Sequence, residues 1–368
     1  IQGIGAAMLM ACSPALVVDA FPEKERGKAL GMIGAVVASG LTTGPVLGGI
    51  ILEYFSWQFI FYINIPIGAA AVVAGMMVLT HPDFSKGSNE PMDKTGSILM
   101  ILVISSLVVV MSHLSKWGWF SPGTISLSLL CLLSASGFVM TELKSGFPLF
   151  DIHLISIRLF VFPIVASAIL FAGLFILVFM MPFYLTYPCD FSASKTGGIM
   201  ITPFLLLLLV SPVAGMLYDK IGSRGLATTG MGLLAIALFS LASVEPAMGA
   251  GAVVWRMAVA GIGTALFVSP NNTAALSAVP FHRRGIASGA VATSRNLGMV
   301  LGVALAGLVF STAFSGLSAG STLEHYTGQM EPYFMAGFKR TMLVGGCLAV
   351  AGIAVSFARG RESFQNRN

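Results

Sequence analysis

Eleven long apolar runs, separated by short links that hold nearly all the charge, constrain this 368-residue chain more than any other feature. About 20 apolar residues cross the hydrocarbon of a bilayer as a helix, because a helix satisfies its backbone donors and acceptors within the segment. The runs cover residues 1–20, 29–52, 58–80, 97–113, 123–141, 161–187, 197–217, 226–244, 252–279, 286–314 and 336–358. With 56% hydrophobic and 10% charged residues and a mean hydropathy of +0.89, one soluble core cannot hide this surface. The chain is predicted to be an all-α integral membrane protein with no soluble domain between its spans.

The charges orient it. Of 20 Lys and Arg residues, 14 lie in alternate links and in the tail from Arg359, whereas the opposite links hold only Lys116, Lys195, Lys339 and Arg340. That bias predicts a cytoplasmic C-terminus and an outer or near-outer start. A pI of about 9.1 therefore reflects topology and not nucleic acid. Cys12, Cys131 and Cys347 fall in apolar runs and Cys189 in a link, without metal or redox spacing. The chain opens on Ile1, with no initiator Met and no cleavage site, already inside an apolar run, so N-terminal truncation is expected.

Within the second run, Gly40-Leu-Thr-Thr-Gly-Pro-Val-Leu-Gly-Gly49 repeats glycine at 40, 44 and 48, a side-chain-free stripe on which a neighbouring helix can pack closely. Pro45 removes a backbone donor and bends the helix, which suits a moving interface. The start of the chain also repeats 258 positions later without gaps. Gly3, Gly5, Pro22, Arg26, Gly40, Gly44 and Gly49 fall on Gly261, Gly263, Pro280, Arg284, Gly298, Gly302 and Gly307. Eight helices of offset make the copies parallel, a plan on which many transporter folds are built, with a substrate site between the halves.

These residues resemble the major facilitator superfamily, and within it the fourteen-helix drug:proton antiporters of EmrB/QacA type. Gly40–Gly49 is similar to the antiporter motif of the fifth helix, and Trp57-Gln-Phe-Ile-Phe-Tyr-Ile-Asn-Ile-Pro-Ile-Gly68 to the segment that follows it in that branch. Gln2-Gly3-Ile4-Gly5-Ala6-Ala7 resembles the end of the fourth-helix motif, and Gly215-Met-Leu-Tyr-Asp219-Lys-Ile-Gly222-Ser-Arg224 the cytoplasmic gating loop of the second half. In that loop an anionic Asp219 suits the helix that follows, and Arg224 is close enough to pair with it. The resemblance implies a major facilitator fold of two helix bundles plus an extra helix pair, with 11 of 14 helices present. Helices 4–6 would occupy 1–80, the cytoplasmic link and extra pair 81–142, the C-terminal bundle 143–358 and a cytoplasmic tail 359–368. It further implies proton-coupled export of drugs or other amphipathic small molecules across a bacterial inner membrane, with no cofactor beyond the proton gradient. A periplasmic adaptor and outer-membrane channel are the partners used by EmrB-like proteins. Lys116-Trp-Gly-Trp119, between the extra helices, reads as an interfacial anchor.

The residues narrow the chemistry further. All fifteen carboxylates and the five His residues lie in links or near helix ends, so no intramembrane catalytic cluster forms and no enzyme is expected. Nothing resembles a nucleotide-binding loop. Arg295 stands near mid-depth, where an Arg is costly unless it pairs with another helix or meets a substrate, and both roles are open. Arg256 lies near an outer helix end and can snorkel. Asn64, Asn271 and Asn272 sit on apolar helices and serve either interhelical bonding or a substrate. Export of one specific metabolite, or a transport-incompetent membrane partner, are the alternatives to drug export.

Overall fold

The computed structural model describes residues 2–6, 8, 9, 13, 16, 26–78, 93–144, 156–279, 284–318, 323 and 326–360, and every regular element among them is helical. In chain order these are α1 (Arg26–Tyr54), α2 (Phe59–Tyr62), α3 (Asn64–Val78), α4 (Lys94–Trp117), α5 (Pro122–Lys144) and α6 (Arg158–Thr186). They continue with α7 (Ala193–Met200), α8 (Thr202–Ile221), α9 (Ser223–Leu241), α10 (Gly249–Ser277), α11 (Arg284–Leu317) and α12 (Glu331–Ala358). Nine helical stretches among the described residues are long and apolar enough to cross a membrane, and they coincide with the last nine expected spans. The span expected over 29–52 is α1, about 43 Å long at 1.5 Å per residue. The span expected over 1–20 lies mostly outside the described residues, as do the links near 79–92 and 145–155 and the tail from 361.

Helices α6 and α8 to α12 form the main bundle, with its core at the centre. Leu170, Leu174, Leu177, Met180 and Met181 of α6 meet Met231, Leu234 and Leu238 of α9, Met257 and Phe267 of α10, and Phe334, Phe338 and Met342 of α12. Burial of one such side chain contributes about 1.5–3 kcal/mol in water, but in lipid the gain comes from close packing, which small residues permit. Gly298 and Gly302 supply this: a Cβ on either would strike the backbone carbonyl of Ala168 or Ala172. Both index pairs rise together, so α6 and α11 run parallel. Gly230 and Gly263 allow a similarly close approach between the antiparallel α9 and α10.

The remaining helices stand to the side. α4 and α5 form a hairpin that packs on α11. Asp93 caps α4 by accepting from the Gly96 amide at 2.8 Å, and Gly118, at φ 82, ends that helix in a conformation costly for any other L residue. Trp117 and Trp119 are exposed at this turn. α1 packs on α7 and α8, whereas no residue of α3 is fully buried within the described structure.

The face carrying Gly40, Gly44 and Gly48 makes no close contact among the described residues. Among the described residues a Cβ on any of the three meets nothing within 4 Å. Contact is instead made by the neighbouring face: Pro45 and Gly49 press on Gly197 and Ala193 of α7, where a Cβ on Gly49 or Gly197 would meet backbone. Residues 45 and 49 lie about 100° around the helix from 44 and 48, so a packing partner on one face leaves the other free.

Candidate functional site

At one end of the bundle, α6, α9 and α11 begin while α8, α10 and α12 finish, and most of the described Arg residues gather there. α8 passes directly into α9 through Gly222, whose φ of 78 closes the turn and whose amide donates to the Tyr218 carbonyl at 2.9 Å. Any side chain at 222 would strain that turn. The turn brings Ser223 to the first position of α9, facing the last residue of α12.

That arrangement builds a buried polar clasp. Arg359, the C-cap of α12, is only 1% exposed, the largest fully buried side chain among those described. Its Nε donates to the Ser356 carbonyl at 3.1 Å, Nη1 to Ser223 Oγ at 3.2 Å and Nη2 to Asn271 Oδ1 at 2.8 Å. Asn271, also 1% exposed, donates from Nδ2 to the Pro163 carbonyl at 3.0 Å. One position further along α6, the Ile164 carbonyl accepts from Ser294 Oγ at 2.6 Å. Arg158 donates to the Ala358 carbonyl at 3.2 Å. Five helices are thus joined by side chains bonded to other side chains and to backbone carbonyls. A buried guanidinium without such partners costs several kcal/mol, so the bonds must be kept together or broken together.

The residues singled out in the sequence are distributed unevenly about this clasp. Asn271 is at its centre and makes the expected interhelical bonds, while Asn272 is half-buried beside it. Arg224 lies over the Phe357 ring at 3.9 Å, with a buried Nε that has no hydrogen-bond partner among the described residues. The side chain of Asp219 is outside the described set, and so is its expected pairing with Arg224. Gly215 packs near Ser269, where a Cβ would lie 3.4 Å from Oγ. Arg256 is at the opposite end, donating from Nε to Ser240 Oγ at 2.8 Å and to its carbonyl at 3.0 Å, a tie between α10 and α9. Asn64 Nδ2 donates to the Ile60 carbonyl four residues back, at 3.3 Å. Arg295 is half-buried on α11 and makes no hydrogen bond or ion pair among the described residues.

Sequence reasoning missed Arg359 and Ser223. Arg359 was assigned to the tail, yet Arg359-Gly360 carries a helix-stop signal, and Gly360 takes φ 94.

The opposite end is aromatic. Tyr184 stacks on Phe338 at 4.8 Å, Tyr187 meets Tyr326 at a tilt with centroids 5.0 Å apart, and Phe310 meets Phe334 edge-on at 5.1 Å. Burial pushes the Cys189 thiol up, opposed in part by its bond with Tyr184. Burial also pushes up the Tyr326 phenol, and the nearby Glu331 carboxylate adds to it.

With that geometry in place, residues 1–303 match the family model described as Major Facilitator Superfamily. The chain belongs to the Major Facilitator Superfamily. Membership places it with transporters and not with enzymes, and members of this superfamily generally need no cofactor. The riboflavin transporter RibZ of Clostridioides difficile (strain 630) is 32% identical over 314 residues, covering 85% of this chain and 66% of RibZ. The multidrug resistance protein Stp of Mycobacterium tuberculosis (strain ATCC 25618 / H37Rv) is 32% identical over 336 residues, covering 90% and 60%. The lincomycin resistance protein LmrB of Listeria monocytogenes is 27% identical over 360 residues, covering 97% and 75%. The chain therefore spans less than two thirds of the length of RibZ and of Stp. A bacterial homologue of the human lysosomal transporter Spinster, solved in an inward-facing and occupied conformation, aligns with a TM-score of 0.55 at 15% identity, over 94% of this chain and 72% of that one. At that identity the likeness speaks to the superfamily fold alone.

Proposed function

We propose that this major facilitator chain serves secondary active transport: proton-coupled export of drugs or other amphipathic small molecules by alternating access, in the fourteen-helix EmrB/QacA branch. It sits in a bacterial inner membrane, and the Arg-rich end with the clasp faces the cytoplasm. The observation that carries this reading is the buried Arg359–Asn271–Pro163 connection, which with Ser223 and the Ser294–Ile164 bond ties five helices of the C-terminal bundle together at one end. Alternating access rocks one bundle as a unit against the other, and buried side-chain bonds of this kind hold a bundle together as such a unit. Pro45, Pro163 and Pro270 lie within α1, α6 and α10 and give those helices places to bend. The similarity to Stp and LmrB supports drug-like substrates, and the similarity to RibZ favours the second reading, export of one specific metabolite. The proton site, an adaptor and an outer-membrane channel belong to this proposal as well.

The test is transport in inverted membrane vesicles containing the full chain. An imposed proton gradient, acid inside, is expected to drive uptake of an amphipathic dye, and an uncoupler is expected to abolish it. Dye movement indifferent to the gradient would remove the proton from the proposal, and no movement of any probe would favour the transport-incompetent partner.

A further inference from the structure

The half-buried cation of α11 is not accounted for by the clasp. Arg295 lies eleven residues into the helix, about 16 Å from Arg284 along an axis of about 51 Å. Its neighbours determine where it does not point: Ser294 bonds the Ile164 carbonyl of α6, and Gly298 and Gly302 are pressed against Ala168 and Ala172 of the same helix. Arg295 follows Ser294 by one residue and is turned about 100° from that bond.

The other buried or half-buried described arginines have partners. Arg359 has Asn271 and Ser223, Arg256 has Ser240, and Arg224 has the ring of Phe357. Arg295 has neither a hydrogen bond, an ion pair nor a ring among the described residues. Nor is it needed for the packing plan that the repeat shares, since the position 258 residues earlier is Val37. The described carboxylates, Glu53, Asp93, Glu142, Asp190, Glu245 and Glu331, all lie in links or within two residues of a helix end. The described membrane interior therefore offers a cation and no anion. A guanidinium presents a planar fork of donors that matches carboxylate, sulfonate or phosphate oxygens in pairs, and its charge is strengthened by an apolar setting.

We infer that Arg295 recognises an anionic group on the substrate, so that the transported class is amphipathic anions. The inference rests on the transport reading for its biological meaning, but binding alone tests it. The full chain, purified into phosphatidylcholine nanodiscs so that no anionic lipid competes, is titrated with three dansyl probes of similar apolar body: dansylglycine (anion), its methyl ester (neutral) and dansylcadaverine (cation). Dansylglycine is expected to bind at least tenfold more tightly than the other two. Arg295→Gln should weaken dansylglycine binding at least tenfold, leave the ester within twofold and leave the melting temperature unchanged, with Arg295→Lys in between. Equal binding of anion and ester, preference for the cation, or loss of all three probes together with a lower melting temperature would overturn the inference, the last marking Arg295 as structural. Selective anion binding without gradient-driven export would sink the transport reading and uphold the anion site. Export of dansylcadaverine alone would do the reverse.

Discussion

Arg359 and Asn271, 88 positions apart in the chain, are joined by a 2.8 Å hydrogen bond in which the guanidinium donates and the amide oxygen accepts. The same amide donates to the Pro163 carbonyl, so one residue serves two helices at once. Asn271→Ala would leave a buried guanidinium arm and a carbonyl without this partner, which costs about 2–4 kcal/mol. Thermal unfolding in nanodiscs is expected to shift down by several degrees. An unchanged midpoint would show that the clasp carries no stability.

The two copies of the glycine pattern make a paired prediction. Gly302→Ala would drive a methyl into the Ala172 carbonyl, and Gly49→Ala would do the same at Ala193, whereas Gly44→Ala, the repeat counterpart of the first, meets open space among the described residues. The first two should lose about 1–3 kcal/mol and the third should be near neutral in stability. If Gly44→Ala nonetheless halts dye transport in a fully folded protein, the antiporter-motif role assigned to that face gains direct support.

Arg256 and Ser240 form the tie at the aromatic end. Ser240→Ala removes only the 2.8 Å bond to Oγ and keeps the 3.0 Å bond to the carbonyl, so a loss of about 0.5–1 kcal/mol is expected. Arg256→Met should cost more, and a double-mutant cycle should return a coupling energy of about 0.5–1 kcal/mol. Strict additivity would mean that the two side chains do not act together.

Cys189 gives a pH test outside the spans. Burial raises its thiol above the ordinary 9.0, so the folded state holds the proton more tightly than the unfolded one. That contribution is fully present below the ordinary value and is lost as pH rises through the raised one. Stability should therefore begin to fall above about pH 9, less so in Cys189→Ala, and alkylation by iodoacetamide at pH 8 should be slower than for a free thiol. Alkylation at the rate of glutathione would contradict the assigned environment.

How much of this was legible in advance differs by residue. The limits of α6, α10 and α12 follow from apolar length and the Pro, Gly and charge at their ends, and the described structure agrees with those limits to within a few residues. Asn271 was readable as a polar group with a partner to find, although the partner was not. Gly40 and Gly44 meet no neighbour among the described residues, because a glycine stripe announces that a helix can be approached and not by which partner. Arg359 was misjudged because a basic residue after an apolar run resembles every other tail charge until another helix covers it.

The sequence by itself determined the last nine spans, the alternation of charge between the links and the 258-residue repeat, since each depends on properties summed along the chain. Only the tertiary structure decided which face of α1 meets α7, that Arg359 reaches Asn271 and not water, and that Arg295 is left without a partner among the described residues. The physical reason is rotational: apolar length carries a helix across a bilayer in any orientation about its axis, and the orientation is chosen by the close contacts and buried bonds that neighbouring helices supply.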